Sequence, residues 1–186
     1  KSREILVKGG WTYDEKAKVW KKSASSKGGS ASGRKQVLSL SLATSDASEL
    51  SATANKIVEF WRAAGIEAGV KIYPLSELNT NVIRPRAYDA ILFGEVVGRT
   101  LDLFAFWHSS QRLDPGLNIA SYVNPKVDKL LDTARAETDT TKRAKLYASF
   151  SDEIAKDTPA IFMYTPEFLY VVPKEVRGFS LGSITV

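Results

Sequence analysis

One stretch gathers most of the side chains able to do chemistry. Residues 93–112, FGEVVGRTLDLFAFWHSSQR, hold the single histidine of the chain, His108, beside Ser109 and Ser110, with Glu95, Arg99 and Asp102 upstream. A histidine next to serines suggests general-base activation of a hydroxyl, a histidine among carboxylates suggests a metal, and two acids suggest acid–base work. Each reading needs more than residue types. A metal site takes several convergent donors, and the chain has one His and no Cys. A serine nucleophile sits on a strained elbow of the G-x-S-x-G kind, which neither Ser109 nor Ser110 has. Neighbours one and two positions along a helix also do not face one another. Nothing in the sequence fixes the separation of Glu95 and Asp102. His108 is therefore expected to cap or pack, and no catalytic group, metal or cofactor is expected.

The elements around this stretch give it a different meaning. YDAILFGEV (88–96) reads as a buried strand with a continuous apolar run suited to a central position. The segment Gly94, Glu95, Val96, Val97, Gly98 and Arg99 follows at its carboxyl end, where ligand crevices form in open α/β sheets. Its two glycines let backbone approach a ligand, and Glu95 or Arg99 can offer charge. LDLFAFWHSSQ then reads as a helix whose aromatics are core, with His108 near its end. Upstream, VLSLSLAT alternates as a half-buried strand, and Ser45 or Asp46 is placed to cap a helix carrying Leu50, Ala54, Ile57, Trp61 and Ala64 at helical spacing. Gly65 closes that helix, GVKIYPL is a second strand, and SELNTNVI is a short helix ending before Arg84-Pro85. Downstream, NPKVDKLLDTARAET opens with an Asn cap and Pro at the first helical position. DTTKRAKLYASFSDEIAKD places Ala144, Tyr147, Phe150 and Ile154 on one face, and PAIFMYT and EFLYVVP read as two late strands. The β-α-β-α-β order from 36 to 95 predicts an α/β fold with parallel pairing.

At 186 residues with 44% hydrophobic side chains, the chain suits one domain or one lobe of a larger protein. Without cysteine, disulfides and thiolate chemistry are excluded. No apolar run approaches the roughly 18 residues of a membrane span, and the first residues lack a signal-peptide core. Charge is uneven. Residues 1–36 carry ten Lys and Arg against three acids, whereas residues 37–186 carry sixteen against eighteen. In the basic part, SREILVK reads as a helix end stopped by Gly9-Gly10, WTYDEKAKVWKK as a hairpin turning at Asp14–Lys16, and residues 23–35 as a polar loop. GGSASGRK spaces Gly28 and Gly33 like a phosphate loop, but Arg34-Lys35 and a following strand replace its Lys-Ser/Thr and helix. Trp11, Tyr13 and Trp20 among the lysines leave a basic nucleic-acid-binding or interaction domain as the alternative function, with an enzyme third.

The order of segments resembles extracellular solute-binding proteins of family 5, the oligopeptide-, dipeptide- and nickel-binding components of ABC importers. The resemblance runs through Tyr88-Asp89, Gly94 and Asp102, Tyr122 to Leu131, the Asp139-Arg143-Leu146-Tyr147 pattern, and Pro159 to Tyr164. KGGWTYDEKAKVWKK is similar to the segment that leads into the C-terminal lobe. The likeness implies a periplasmic-binding-protein-like (type II) lobe with a central mixed sheet of about five strands flanked by helices. Residues 1–35 would lead into it and 36–186 would form it, excised from a two-lobe protein.

That resemblance implies an extracytoplasmic, lipid-anchored monomer that is not an enzyme. It would capture a peptide or other small solute in Gly94–Arg99 against the N-terminal lobe and deliver it to an ABC permease in the membrane. It implies no nucleic acid, metal or cofactor. Two positions depart from the pattern. Peptide binders carry Trp after the glycine and Asp three residues later, where this chain has Glu95 and Gly98. Glu95 replaces that carboxylate from a shifted place, or the ligand lacks a free amine. Asp102 is what remains of a DPD motif at Thr100-Leu101-Asp102.

Overall fold

The computed structural model describes residues 1–23, 35–95, 102–166 and 171–178. Helix α1 (Ser2–Lys8) has Glu4 in its first turn and Lys8 in its last, each opposite in sign to the helix dipole there. Gly10, not Gly9, takes the left-handed conformation after it (φ +81°). Strands β1 (Thr12–Asp14) and β2 (Val19–Ser23) form the expected antiparallel hairpin. Asp14 builds its turn: Oδ1 accepts from the amides of Lys16 and Ala17 at 3.0 Å, and Lys21 Nζ donates to Oδ2 at 2.7 Å. Strand β3 (Lys35–Val37) adds to β2, so Lys35 and Ser23 are ladder residues, while residues 24–34 of the expected loop lie outside the described residues.

The run from 35 to 45 serves two sheets. At Leu38 the chain crosses from β3 into β4 (Ser39–Ser45), the amide of Leu38 donating to Trp20 O and its carbonyl accepting from Glu67 N. Helix α2 (Ser48–Ala63) returns the chain to β5 (Glu67–Tyr73), parallel to β4 in register Ser39↔Glu67 through Ser45↔Tyr73. Gly65 makes the turn possible. It has φ +87°, and a Cβ there would lie 2.6 Å from Tyr13 and 3.2 Å from the Trp20 ring. Trp20 is buried at this corner, its Nε1 donating to Ala64 O at 2.8 Å. Short helix α3 (Leu75–Glu77) runs into a π-helical turn (Leu78–Ile83), and β6 (Ala90–Ile91) pairs with the other side of β4.

Alternation along β4 explains the core. Leu42 faces Ala54 and Val58 of α2, while Ala43 faces Leu78, Val82 and Ile83 on the other side of the sheet. Burying each large aliphatic side chain contributes roughly 1.5–3 kcal/mol. A second packed body follows: α4 (Phe104–Trp107), a 3₁₀ turn (Ser109–Gln111), α5 (Pro125–Ala136) and α6 (Thr140–Asp157) close around Trp107, Val127, Leu131, Phe150 and Ile154. Arg84 joins the bodies through two bonds to Asp114, at 2.9 and 3.1 Å, and Tyr88 donates its hydroxyl proton to Ile119 O.

The α/β class with parallel pairing is as expected, but four details differ. Among the described residues the parallel sheet has three strands, ordered β5-β4-β6, where about five mixed strands were expected. Among the described residues, 159–166 of the late strands have no ladder, and Ile161 and Phe162 stay 75% and 73% exposed; residues 167–170 lie outside the described set. Of the expected 88–96 strand only Ala90–Ile91 is laddered, and among the described residues it stands at the edge because the longer β4 takes the central place. Helix α2 is capped by Ala47 without a side-chain bond, since Ser45 Oγ instead accepts from Ala47 N at 3.4 Å.

Candidate functional site

Strands β4 and β5 end in register at Ser45 and Tyr73, β6 stops two residues earlier at Ile91 opposite Ala43, and hydrogen bonds pin these ends. Asp46 N donates to Tyr73 O, tying the end of β4 to β5, and Leu92 N donates to Ala43 O on the other side. The buried Thr44 hydroxyl donates to Leu92 O at 3.0 Å. Past Leu92 the chain leaves the sheet. Phe93, Gly94 and Glu95 are exposed, and among the described residues no atom lies within 4 Å of where a Gly94 Cβ would stand. Packing against the described residues thus does not require Gly94.

Glu95 sits on this open rim. Surrounding protein lifts its carboxyl above the ordinary range by desolvation, whereas its surface area leaves it exposed. The exposure is the better guide to recognition, because a charged partner arrives through solvent. Val96, Val97, Gly98 and Arg99 lie outside the described residues, as do Thr100 and Leu101. Asp102 does not stand free: Arg135 Nη2 is 3.0 Å from its Oδ2, and its Oδ1 accepts from Phe104 N at 3.2 Å.

His108 caps, as its residue type suggested. Its Nδ1 accepts from Ser110 N at 3.1 Å, and its ring stacks on Phe104 with centroids 4.1 Å apart. Ser110 Oγ also reaches Nδ1, at 2.7 Å, although helical neighbours do not face each other. The reason is that His108 is extended (φ −70°, ψ 138°) and begins the 3₁₀ turn from outside. Its Nε2 lies 3.9 Å from Asp128 and 3.8 Å from Asp132, two carboxylates that sequence reading did not single out. Their i, i+4 spacing on α5 was the available signal. Asp128 is already engaged by the amide and hydroxyl of Ser109, at 2.8 and 2.6 Å. Among the described residues no group of three His, Cys, Asp or Glu could hold a metal ion.

Asn118 was also missed. Fully buried, it donates from Nδ2 to the carbonyls of His108 and Tyr122 at 3.2 and 3.0 Å and accepts from Tyr122 N at 3.0 Å, fixing the loop between α4 and α5. One buried amide thereby ties together backbone groups on both sides of the loop. In the basic hairpin, Trp20 is core, while Lys22 lies over Trp11 and Arg3 over Tyr13, at 5.8 and 5.5 Å from the ring centroids. These aromatic faces are occupied rather than held open for bases.

No family model matches the chain. Among curated proteins it is 30% identical over 124 residues to the oligopeptide-binding protein AppA of Bacillus subtilis (strain 168), covering 66% of this chain and 23% of that protein. It is 31% identical over 74 residues to the probable D,D-dipeptide-binding periplasmic protein DdpA of Escherichia coli (strain K12), covering 40% of this chain and 14% of the relative. Among solved structures, Bacillus subtilis AppA in complex with a nonapeptide matches with a TM-score of 0.72 and 26% identity, over 85% of this chain and 29% of that one. The chain spans about a quarter or less of the curated relatives it matches.

Proposed function

We propose that this chain, which is similar to oligopeptide- and dipeptide-binding proteins, is the C-terminal ligand-binding lobe of a family 5 solute-binding protein, the substrate-binding component of an ABC importer. The likeness to a protein solved with a nonapeptide carries this reading. The lobe, residues 36–186 with 1–35 leading into it, meets an N-terminal lobe of the same polypeptide across a cleft. The segment Gly94–Arg99 forms this lobe's wall of the cleft, and the ligand is a peptide or similar small solute. Two features support the place: the carboxyl ends of the parallel strands are where such folds bind ligands, and Phe93 to Glu95 are exposed there. The protein works outside the cytoplasm, lipid-anchored, and hands its ligand to a membrane permease. No helix among the described residues is long and apolar enough to cross a membrane.

The test is calorimetry of the full-length polypeptide that contains this chain, against peptides of two to nine residues. Saturable binding at micromolar concentrations is expected, with loss on substitution of the Gly94–Arg99 segment. A polypeptide that folds and binds none of these peptides would overturn the reading.

A further inference from the structure

The amino ends of the parallel strands carry a groove of about 620 Å³ between the hairpin and the start of β5. Lys18, Lys21 and Arg62 border it against a single acid, Glu67, while Val19 and Val37 are among its apolar lining. The residues differ in availability. Lys21 is engaged by Asp14 at 2.7 Å, whereas Lys18 and Arg62 are exposed. Arg62 is held by its Nε, which donates to Ala68 O at 2.8 Å, and its two Nη groups have no hydrogen bond among the described residues. The charge continues beyond the groove: residues 1–23 and 35–37 carry eight Lys and Arg against three acids.

We propose that this groove docks an acidic segment of a partner protein, its carboxylates meeting Lys18 and Arg62 and its apolar side chains resting on the valines. Charge complementarity names the occupant. The rival polyanions fit less well. Nucleic acid would use stacking aromatics, but Trp20 is buried and Trp11 and Tyr13 already have cations over their faces. A lipid surface would meet a protruding basic and apolar face, whereas these cations border a recess. The location suits a docking role. Seven-residue β5 separates the groove from the strands' carboxyl ends by about 20 Å, so a partner here leaves the cleft free.

The experiment uses residues 1–186 and a fluorescein-labelled octapeptide alternating Glu and Val, with a Ser-Val octapeptide as the neutral control. Fluorescence anisotropy should show saturable binding of the acidic peptide that weakens with salt, and no binding of the control. Lys18→Glu and Arg62→Gln, made separately and checked by thermal melts, should each weaken it at least fivefold. Equal binding of the neutral peptide, indifference to both substitutions, or absence of binding at millimolar peptide would each overturn the proposal. So would tighter binding of oligodeoxythymidylate, or of phosphatidylglycerol vesicles, that the same substitutions abolish.

Discussion

Glu95 and Gly65 show how differently single positions matter in this chain. Glu95 has no structural duty visible in the described residues: it is exposed beyond the last strand, beside a glycine with open space around it. Its value lies in what it meets. In the intact polypeptide, Glu95→Gln should weaken a ligand with a cationic or free amino group by roughly 1–3 kcal/mol, the scale of one charged hydrogen bond, and leave a neutral ligand unaffected. Unchanged calorimetric affinity across several free-amine peptides would remove Glu95 from the site. Gly65 is the reverse case. Its left-handed φ alone makes a side chain costly by about 1–3 kcal/mol, and the Cβ would also press on Tyr13 at 2.6 Å. Gly65→Ala should lower the denaturant midpoint accordingly and detach the hairpin, exposing Trp20. A variant with native Trp20 fluorescence and an unchanged midpoint would contradict this account.

The hairpin and helices were the legible elements, because their signals are local. Asn124 accepts from the amides of Lys126 and Val127, and Asp139 from those of Thr141 and Lys142, as cap residues just before helical periodicity should. Asp14 likewise nucleates its turn from within four residues. Sheet order was not local: which of three apolar strands takes the centre depends on crossovers, and Ala90–Ile91 went to the edge. That Ile161–Tyr164 form no ladder among the described residues could not be read either, since pairing is decided by distant strands. The Tyr164 hydroxyl lies 3.3 Å from that of Thr53 on α2, and Phe162 leans on Trp107. The exposure of Gly94 and Glu95 past the last strand followed from strand position, whereas the role of Asn118 did not, because a buried asparagine looks like any loop polar residue.

The hairpin also makes a pH prediction. Its Lys21 bond, and the two amide bonds it accepts, pull the Asp14 carboxyl down from 3.8 to about 2. A depressed folded-state value means the stabilisation is complete above the unfolded pKa and is lost as pH falls through the folded one. Between pH 4 and 2, the thermal midpoint of the native chain should therefore drop more steeply than that of Asp14→Asn. Parallel curves for the two would show that the turn does not depend on this charge.

For residues 1–186 taken alone, folding and binding should part company. Three cores are already closed, one on each face of β4 and one around Trp107, and 186 residues exceed the size at which domains need disulfide or metal staples. A cooperative thermal transition is expected. Binding has other requirements, because a clamp of two lobes buries its ligand from both sides by closing. One wall offers about half of the contacts, while the ligand loses the same translational and rotational freedom on docking. If half of a micromolar affinity of about −8 kcal/mol remained, the dissociation constant would fall near millimolar. Titrating the isolated chain with a mixed peptide library should show no saturation at micromolar concentrations, whereas a polypeptide that carries the proposed second lobe should saturate. Tight, saturable binding by residues 1–186 alone would mean that the rim around Glu95 is a complete site, with no second wall required.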